Sequence, residues 1–165
     1  MAVSNVVKVR KDGTITITDG TGTPLSYTVD YEDGDFQLSQ PKRSSTTIRD
    51  RGVIAGERQA DQPEGTLSFS VHFREFTNGS ATTLMDVIEK TGNWSAAIST
   101  GGTGYESFMV DVAFTVEGTD HGDSADHVAT ASKVKLEWSS FQEGDPDKIS
   151  VTGTIYGGVT FTGQA

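Results

Sequence analysis

The stretch Lys133–Phe161, KVKLEWSSFQEGDPDKISVTGTIYGGVTF, constrains the chain more than any other. Val134, Leu136 and Trp138 alternate with Lys135, Glu137 and Ser139, and Phe141 then falls out of phase. Further on, Ile149, Val151, Ile155, Val159 and Phe161 share one parity, with Gly153 and Gly157 among them. Period-two alternation of this length predicts two long strands with one buried face. A one-residue slip would turn every apolar side chain to water, so the register is strongly specified. The lost phase around Ser139-Ser140 predicts a β-bulge. Between the strands, Glu143-Gly144-Asp145-Pro146-Asp147 predicts a turn: proline presets its φ, glycine tolerates positive φ, and the short acids reach nearby backbone.

Upstream the same pattern recurs in shorter pieces. Thr14–Thr18, then Leu25, Tyr27, Val29 and Tyr31, then Phe36-Gln37-Leu38 predict a meander of hairpins. Leu67, Phe69, Val71 and Phe73 alternate with Ser68, Ser70, His72 and Arg74, and Phe108, Val110, Val112, Phe114 and Val116 alternate as well. Both predict strands. A further strand is expected over Trp94–Thr100. One helix is expected: Thr82 or Thr83 as N-cap, Asp86 in the first turn, Leu84, Val87 and Ile88 on one face, Lys90 near the end and Gly92 just past it. Too short to be stable alone, it must dock on a sheet. Residues 40–64 carry no sustained period and predict a long interaction loop without structure of its own; so long a connection normally has a task.

At 165 residues the chain is expected to be a single domain, 1–165, with a real core. There is no cysteine, which excludes disulfides and thiolate metal sites. The opening MAVSNVVKVRKDG lacks the apolar run of a signal peptide, and no stretch is long and apolar enough to span a bilayer. The expectation is therefore a soluble protein made in the cytosol, with no membrane partner. The formal net charge of −10 argues against general nucleic-acid binding. Charge is also segregated. No basic residue lies between Lys11 and Lys42; Lys42, Arg43, Arg49, Arg51 and Arg58 then cluster; and from Thr91 to Ser132 there are acids but no Lys or Arg. Such segregation can steer copies of one chain together.

Nothing predicts catalysis, a metal or a cofactor. His121, Asp123, Asp126 and His127 are close in HGDSADH, but their spacing matches no zinc pattern. The acidic turns at 30–35 and 143–147 do not follow the calcium-loop pattern. There is no Gly-x-Ser-x-Gly elbow, P-loop or dinucleotide fingerprint. Trp94 and Trp138 are better read as packing than as a sugar platform.

The order of segments resembles the tail tube (major tail) proteins of long-tailed bacteriophages, most strongly in TITITDGTGTPLSYTVDYEDGDF and in KVKLEWSSFQEGDPDKISVTGTIYG. The resemblance implies a mainly β subunit, a β-sandwich or partly barrel-like, with one short flanking α-helix. It implies long hairpins that form a β-barrel on oligomerisation. Such a protein is a non-enzymatic virion component, assembled in the host cytoplasm into hexameric rings that stack as a hollow conduit for genome ejection. Its partners would be further copies of itself, the tape measure protein, tail terminator and tip proteins, a sheath where the tail contracts, and double-stranded DNA passing without specific binding. Residues 40–64 would reach a neighbouring subunit or ring through Lys42, Arg43, Arg49, Arg51 and Arg58. Arg49 and Arg51 would dock on acidic loops such as 118–126. Ser68, Ser70, Thr152 and Thr154 are the candidate channel-facing positions, in an acidic, hydroxyl-rich lumen that repels phosphates. The alternatives are the secreted inner tube of a contractile injection machine and a monomeric carbohydrate- or receptor-binding β-sandwich.

Overall fold

The computed structural model describes residues 13–30, 32–73, 81–118 and 124–163. Ten strands are present: β1 (Thr14–Thr18), β2 (Ser26–Thr28), β3 (Gln37–Ser39), β4 (Ser45–Asp50), β5 (Val53–Gln59), β6 (Gly65–His72), β7 (Val110–Val116), β8 (His127–Gln142), β9 (Lys148–Ile155) and β10 (Val159–Thr162). A helix, α1 (Leu84–Glu89), lies between β6 and β7. Eight strands form one sheet in the order β2-β1-β7-β8-β9-β6-β3, with β10 also paired to β8; β4 and β5 form a separate two-stranded sheet. Every pairing is antiparallel.

The large sheet folds over on itself. Phe36, beside β3, stacks flat on Phe114 of β7, with centroids 4.5 Å apart and planes 8° off parallel. Those residues sit three and more strands apart along the sheet, so its two halves face each other as a sandwich. Ile15, Ile17, Val110 and Val112 from one half meet Leu67, Phe69, Val151 and Ile155 from the other in one apolar core. The halves do not close into a barrel.

The fold turns on β8. Its first part, His127–Val134, pairs with β7; its second part, Val134–Gln142, pairs with β9. The register against β7 slips between Val110 and Val112, where Lys133 takes a left-handed φ of 54°. The Asp111 carboxylate accepts the freed Lys133 N–H at 2.9 Å, so the bend is held by a side chain of the facing strand. A second slip falls between Trp138 and Ser140, and Ser139 Oγ donates to Ser150 O. That is the bulge the sequence predicts.

β9 and β10 run along the same side of β8: Ile155 faces Val134 and Val159 faces Ala131. The expected second long strand is therefore real but interrupted. Tyr156-Gly157-Gly158 adds one residue, with Gly158 at φ 84°, and ladder bonds continue across it from Tyr156 N to Lys133 O and from Ser132 N to Gly158 O. β10 keeps the inward parity: Phe161 pairs with Ala129, which pairs with Phe114, so the three share one face, and Phe161 is 71% exposed because it stands at the open mouth of the sandwich. In the turn between β8 and β9, Gly144 N donates to the Asp147 carboxylate at 2.8 Å, the predicted backbone capture by a short acid.

The helix is capped as expected. Thr83 is the N-cap: Thr83 Oγ1 accepts from Asp86 N, while the Asp86 carboxylate accepts from Thr83 N at 3.0 Å, a reciprocal capping box. The left-handed residue at its end is Lys90 (φ 55°). Leu84 and Val87 join the common core. Two expectations fail. Trp94–Thr100 is not a strand: Gly92–Trp94 is a 3₁₀ turn, and Trp94 and Ala97, three residues apart, both enter the core from turns. That segment is clamped by Asp19 at the end of β1, whose carboxylate accepts from Ile98 N (3.0 Å), Leu25 N (2.7 Å) and Thr21 Oγ1 (2.9 Å). Residues 40–64 are not structureless; they hold β4 and β5.

Candidate functional site

The second half of β8 with β9, β6 and β3 makes a four-stranded unit with two unlike faces. One face carries Leu136, Val151, Ile149, Leu67, Phe69 and Val71 into the core. The other carries rows of small polar groups. Gln37, Ser68, Thr152 and Glu137 stand side by side across the four strands, and Ser39, Thr66, Thr154 and Lys135 form the next row. Lys135 and Glu137 form an ion pair at 2.7 Å, and the lysine's hydrogen bond to that carboxylate, with the carboxylate's charge, holds the lysine above its ordinary pKa.

Both ends of this unit are open. Among the described residues β3 pairs only with β6, and beyond Val134 the outer side of β8 has no strand partner. Near Trp138 that side is flanked by α1, where Trp138 Nε1 donates to Glu89 Oε1 at 3.1 Å. An unpaired strand edge is a template for further strands.

Of the four candidate channel-facing residues, Ser68 and Thr154 are half-buried on the polar face and Thr152 is exposed, in a shallow groove shared with Ile88 and Glu89. Ser70 is 7% exposed. A loop covers it: Asp33 N donates to Ser70 O at 3.0 Å, Ser70 N donates to the Asp35 carboxylate at 2.7 Å, and Ser70 Oγ lies 3.3 Å from Ser150 Oγ. The same loop is pinned by Asp33, which pairs with Lys148 and lies 3.0 Å from His72 Nε2. The hydrogen bond from Lys148, with its charge and that of His72, holds the Asp33 carboxyl below its ordinary range against a smaller opposing effect of burial. The same bond raises Lys148. Both lysines of this face are therefore paired with a carboxylate, and the Asp35 carboxylate adds a further negative charge beside them.

Residues 40–64 project as a hairpin. β4 pairs with β5 from Ser45↔Gln59 to Asp50↔Val53, with a register slip at Ile48/Arg49, around a tip with positive φ at Arg51 and Gly52. All but one of its strand residues are exposed, including Ile48 (51%), Val53 (70%) and Ile54 (63%). Lys42, Arg43, Arg49, Arg51 and Arg58 are exposed along it. A two-stranded hairpin alone is marginally stable in water, and this one has nearly all of its strand residues exposed. Its alternation was unreadable in the sequence because neither face is buried in the subunit.

Between β3 and the β8–β10 pair the sandwich gapes. The groove there, about 480 Å³, is lined by Phe36, Leu38, Phe114, Val116, Val159 and Phe161 among others. His121 and Asp123 lie outside the described residues; the Asp126 carboxylate accepts from Gly118 N at 3.1 Å. Among the described residues no three His, Asp or Glu side chains gather to hold a metal ion. Among them also, no helix is long and apolar enough to cross a membrane. Trp94 is core, as expected, whereas Trp138 is half exposed at the open side of β8.

No protein-family model and no curated protein matches the sequence. Solved structures do match the fold. The sheath/tube terminator of PVC, an extracellular contractile injection system, aligns with a TM-score of 0.56 at 14% identity, over 98% of this chain and 99% of that one. The chain has the fold of these tail-machine parts. A component of the PVC sheath-tube complex gives 0.57 at 14% identity, over 98% and 94%. The tube-terminating cap of the anti-feeding prophage gives 0.54 at 12% identity, over 99% and 95%. Each neighbour is therefore matched over nearly its whole length.

Proposed function

We propose that the chain is a structural subunit, without catalytic activity, of a hollow tail tube built from stacked rings of identical copies. One observation carries this reading. Among the described residues the four-stranded unit β8-β9-β6-β3 is open at both ends, and its exposed face is lined with hydroxyls and paired charges. Joining the β8 side of one copy to the β3 side of the next is a head-to-tail contact, and such contacts generate rings or filaments. Once the ring closes, neither end of this four-stranded unit is left unpaired. The core face of the unit is already covered, so the polar face must line the bore. Ser68, Thr152 and Thr154 would then line the channel, with Ser70 beneath the 32–35 loop. Further copies of the chain, a terminator and a sheath are the partners this fold's neighbours suggest, in a virion or virion-like particle.

Two readings of the cargo follow. In a phage tail the bore conducts the genome past a tape measure protein. In the inner tube of a contractile injection machine it conducts protein, and this second reading is favoured by the contractile systems among the neighbours. Electron microscopy of concentrated subunit tests the shared core of both: rods of uniform bore, or isolated rings, are expected. A compact monomer at all concentrations would overturn it. Nuclease-protected nucleic acid in purified particles, or its absence, separates the two cargoes.

A further inference from the structure

Two features of the subunit are left unsatisfied by ring closure alone. The β4–β5 arm offers Ile48, Val53 and Ile54 to solvent near its tip. The groove between β3 and β10 offers Phe36, Leu38, Val159 and Phe161, and is bounded by β10, which among the described residues pairs with β8 alone. The charges also match. From Lys42 to Arg58 the arm carries five basic residues against Asp50 and Glu57. The groove lining holds no Lys or Arg, and two of its members, Val116 and His127, adjoin Glu117 and Asp126 in sequence.

The arm cannot fill the groove of its own subunit. Gln40 itself lines that groove and stands at the root of the arm. From there the chain runs through 41–44 and the whole of β4 before turning at Arg51-Gly52. Extended chain rises about 3.3 Å per residue, so the tip lies roughly 30 Å from the rim.

We infer that the groove between β3 and β10 is the seat of the β4–β5 arm of a second copy: Val53 and Ile54 enter between Leu38 and Phe161, and Arg49 and Arg51 meet the acidic side at Glu117 and Asp126. This deepens the tube reading and rests on it. It gives the arm a defined receptor, and it fills the gap that keeps the sandwich from closing.

The absence of native cysteine makes a direct test simple. Val53→Cys and Phe161→Cys subunits are mixed, assembled and mildly oxidised. A disulfide-linked dimer containing one of each is expected, and the double variant V53C/F161C should give a ladder of covalent oligomers. Assembled rods without the mixed dimer would overturn the seat, and so would an intrachain disulfide in the dilute double variant. If wild-type protein forms no rods at any concentration, the tube reading fails separately; a mixed dimer from concentrated subunits would still uphold the seat, and its absence would reject it. As a second readout, V53D/I54D subunits should keep the wild-type melting temperature, because the arm packs on nothing in the subunit. The concentration needed for rods should rise by about tenfold or more. Unchanged rod formation would count against the proposal.

Discussion

Replacing Asp19 by alanine should unlock the clamp between the start of the sheet and the segment that brings Trp94 and Ala97 into the core. The carboxylate is 4% exposed and accepts backbone N–H groups from Leu25 at 2.7 Å and Ile98 at 3.0 Å, with Thr21 Oγ1 as a third donor. Hydrogen bonds to a charged acceptor contribute about 1.5–3 kcal/mol each. Counting the two backbone bonds near the lower end, and allowing for the relieved burial of a charge, the loss should be about 3 kcal/mol. For a chain of this size that is a fall in Tm of about 6–12 °C. Urea unfolding should show a lower midpoint with an unchanged slope. Asp19→Asn, which keeps one acceptor oxygen, should lose about half as much. Burial alone would raise the Asp19 pKa, but the hydrogen bonds from Ile98, Thr21 and Leu25 outweigh it and hold it below the ordinary value. A depressed carboxyl stabilises the fold above its unfolded pKa, and that contribution disappears as pH falls through the folded value. The gap between wild type and Asp19→Asn should accordingly narrow below about pH 4. A loss under about 1 kcal/mol for Asp19→Ala would show that water replaces the carboxylate, and the clamp would be incidental.

Three further outcomes are expected. Gly153→Ala places a Cβ 2.8 Å from Val134 Cγ1 and 2.9 Å from Leu67 Cγ, in the middle of β9, and should cost about 1–3 kcal/mol in chemical unfolding. Arg49→Glu with Arg51→Glu should leave the subunit folded, with unchanged circular dichroism and Tm, while abolishing rods in the electron microscope. Acidification should release the 32–35 loop: Asp33 is depressed by its bond to Lys148, so the pairing is intact above the ordinary carboxyl pKa and is lost as pH falls through the lowered value. The Ser70 amide should then lose protection in hydrogen exchange, and Asp33→Asn should show that loss already at neutral pH.

The buried strands were legible because one face of each must be apolar. β6, β7 and β9 follow the alternation of Leu67-Phe69-Val71, Val110-Val112 and Ile149-Val151-Ile155 almost residue by residue. Alternation gives the face of a residue but not its cover: Phe161 keeps the inward face of Ile155 and Val159, yet it is exposed because it lies at the open end of the groove. Trp94–Thr100 misled for another reason: an indole and an alanine methyl can enter a core from turns, with no period at all. The arm was visible only as charge. The open sides of β3 and β8 could not be read from side chains, because the groups they present are the backbone amides and carbonyls common to nearly every sequence. What was legible of the site was its polar face, in Ser68, Thr152 and Thr154.

Strand β8 belongs to both halves of the sandwich, and the left-handed bend at Lys133 divides its two duties. One inserted residue between Lys133 and Leu136 would leave the β7 side in frame and turn the whole wall segment inside out, sending Glu137 inward and Leu136 outward. In a tube of such subunits, bore lining and outer mantle would thus be geared to the same spindle. In any lineage built on this plan, the passage can be retuned by exchanging side chains, whereas lengthening or shortening that strand would jam both layers together.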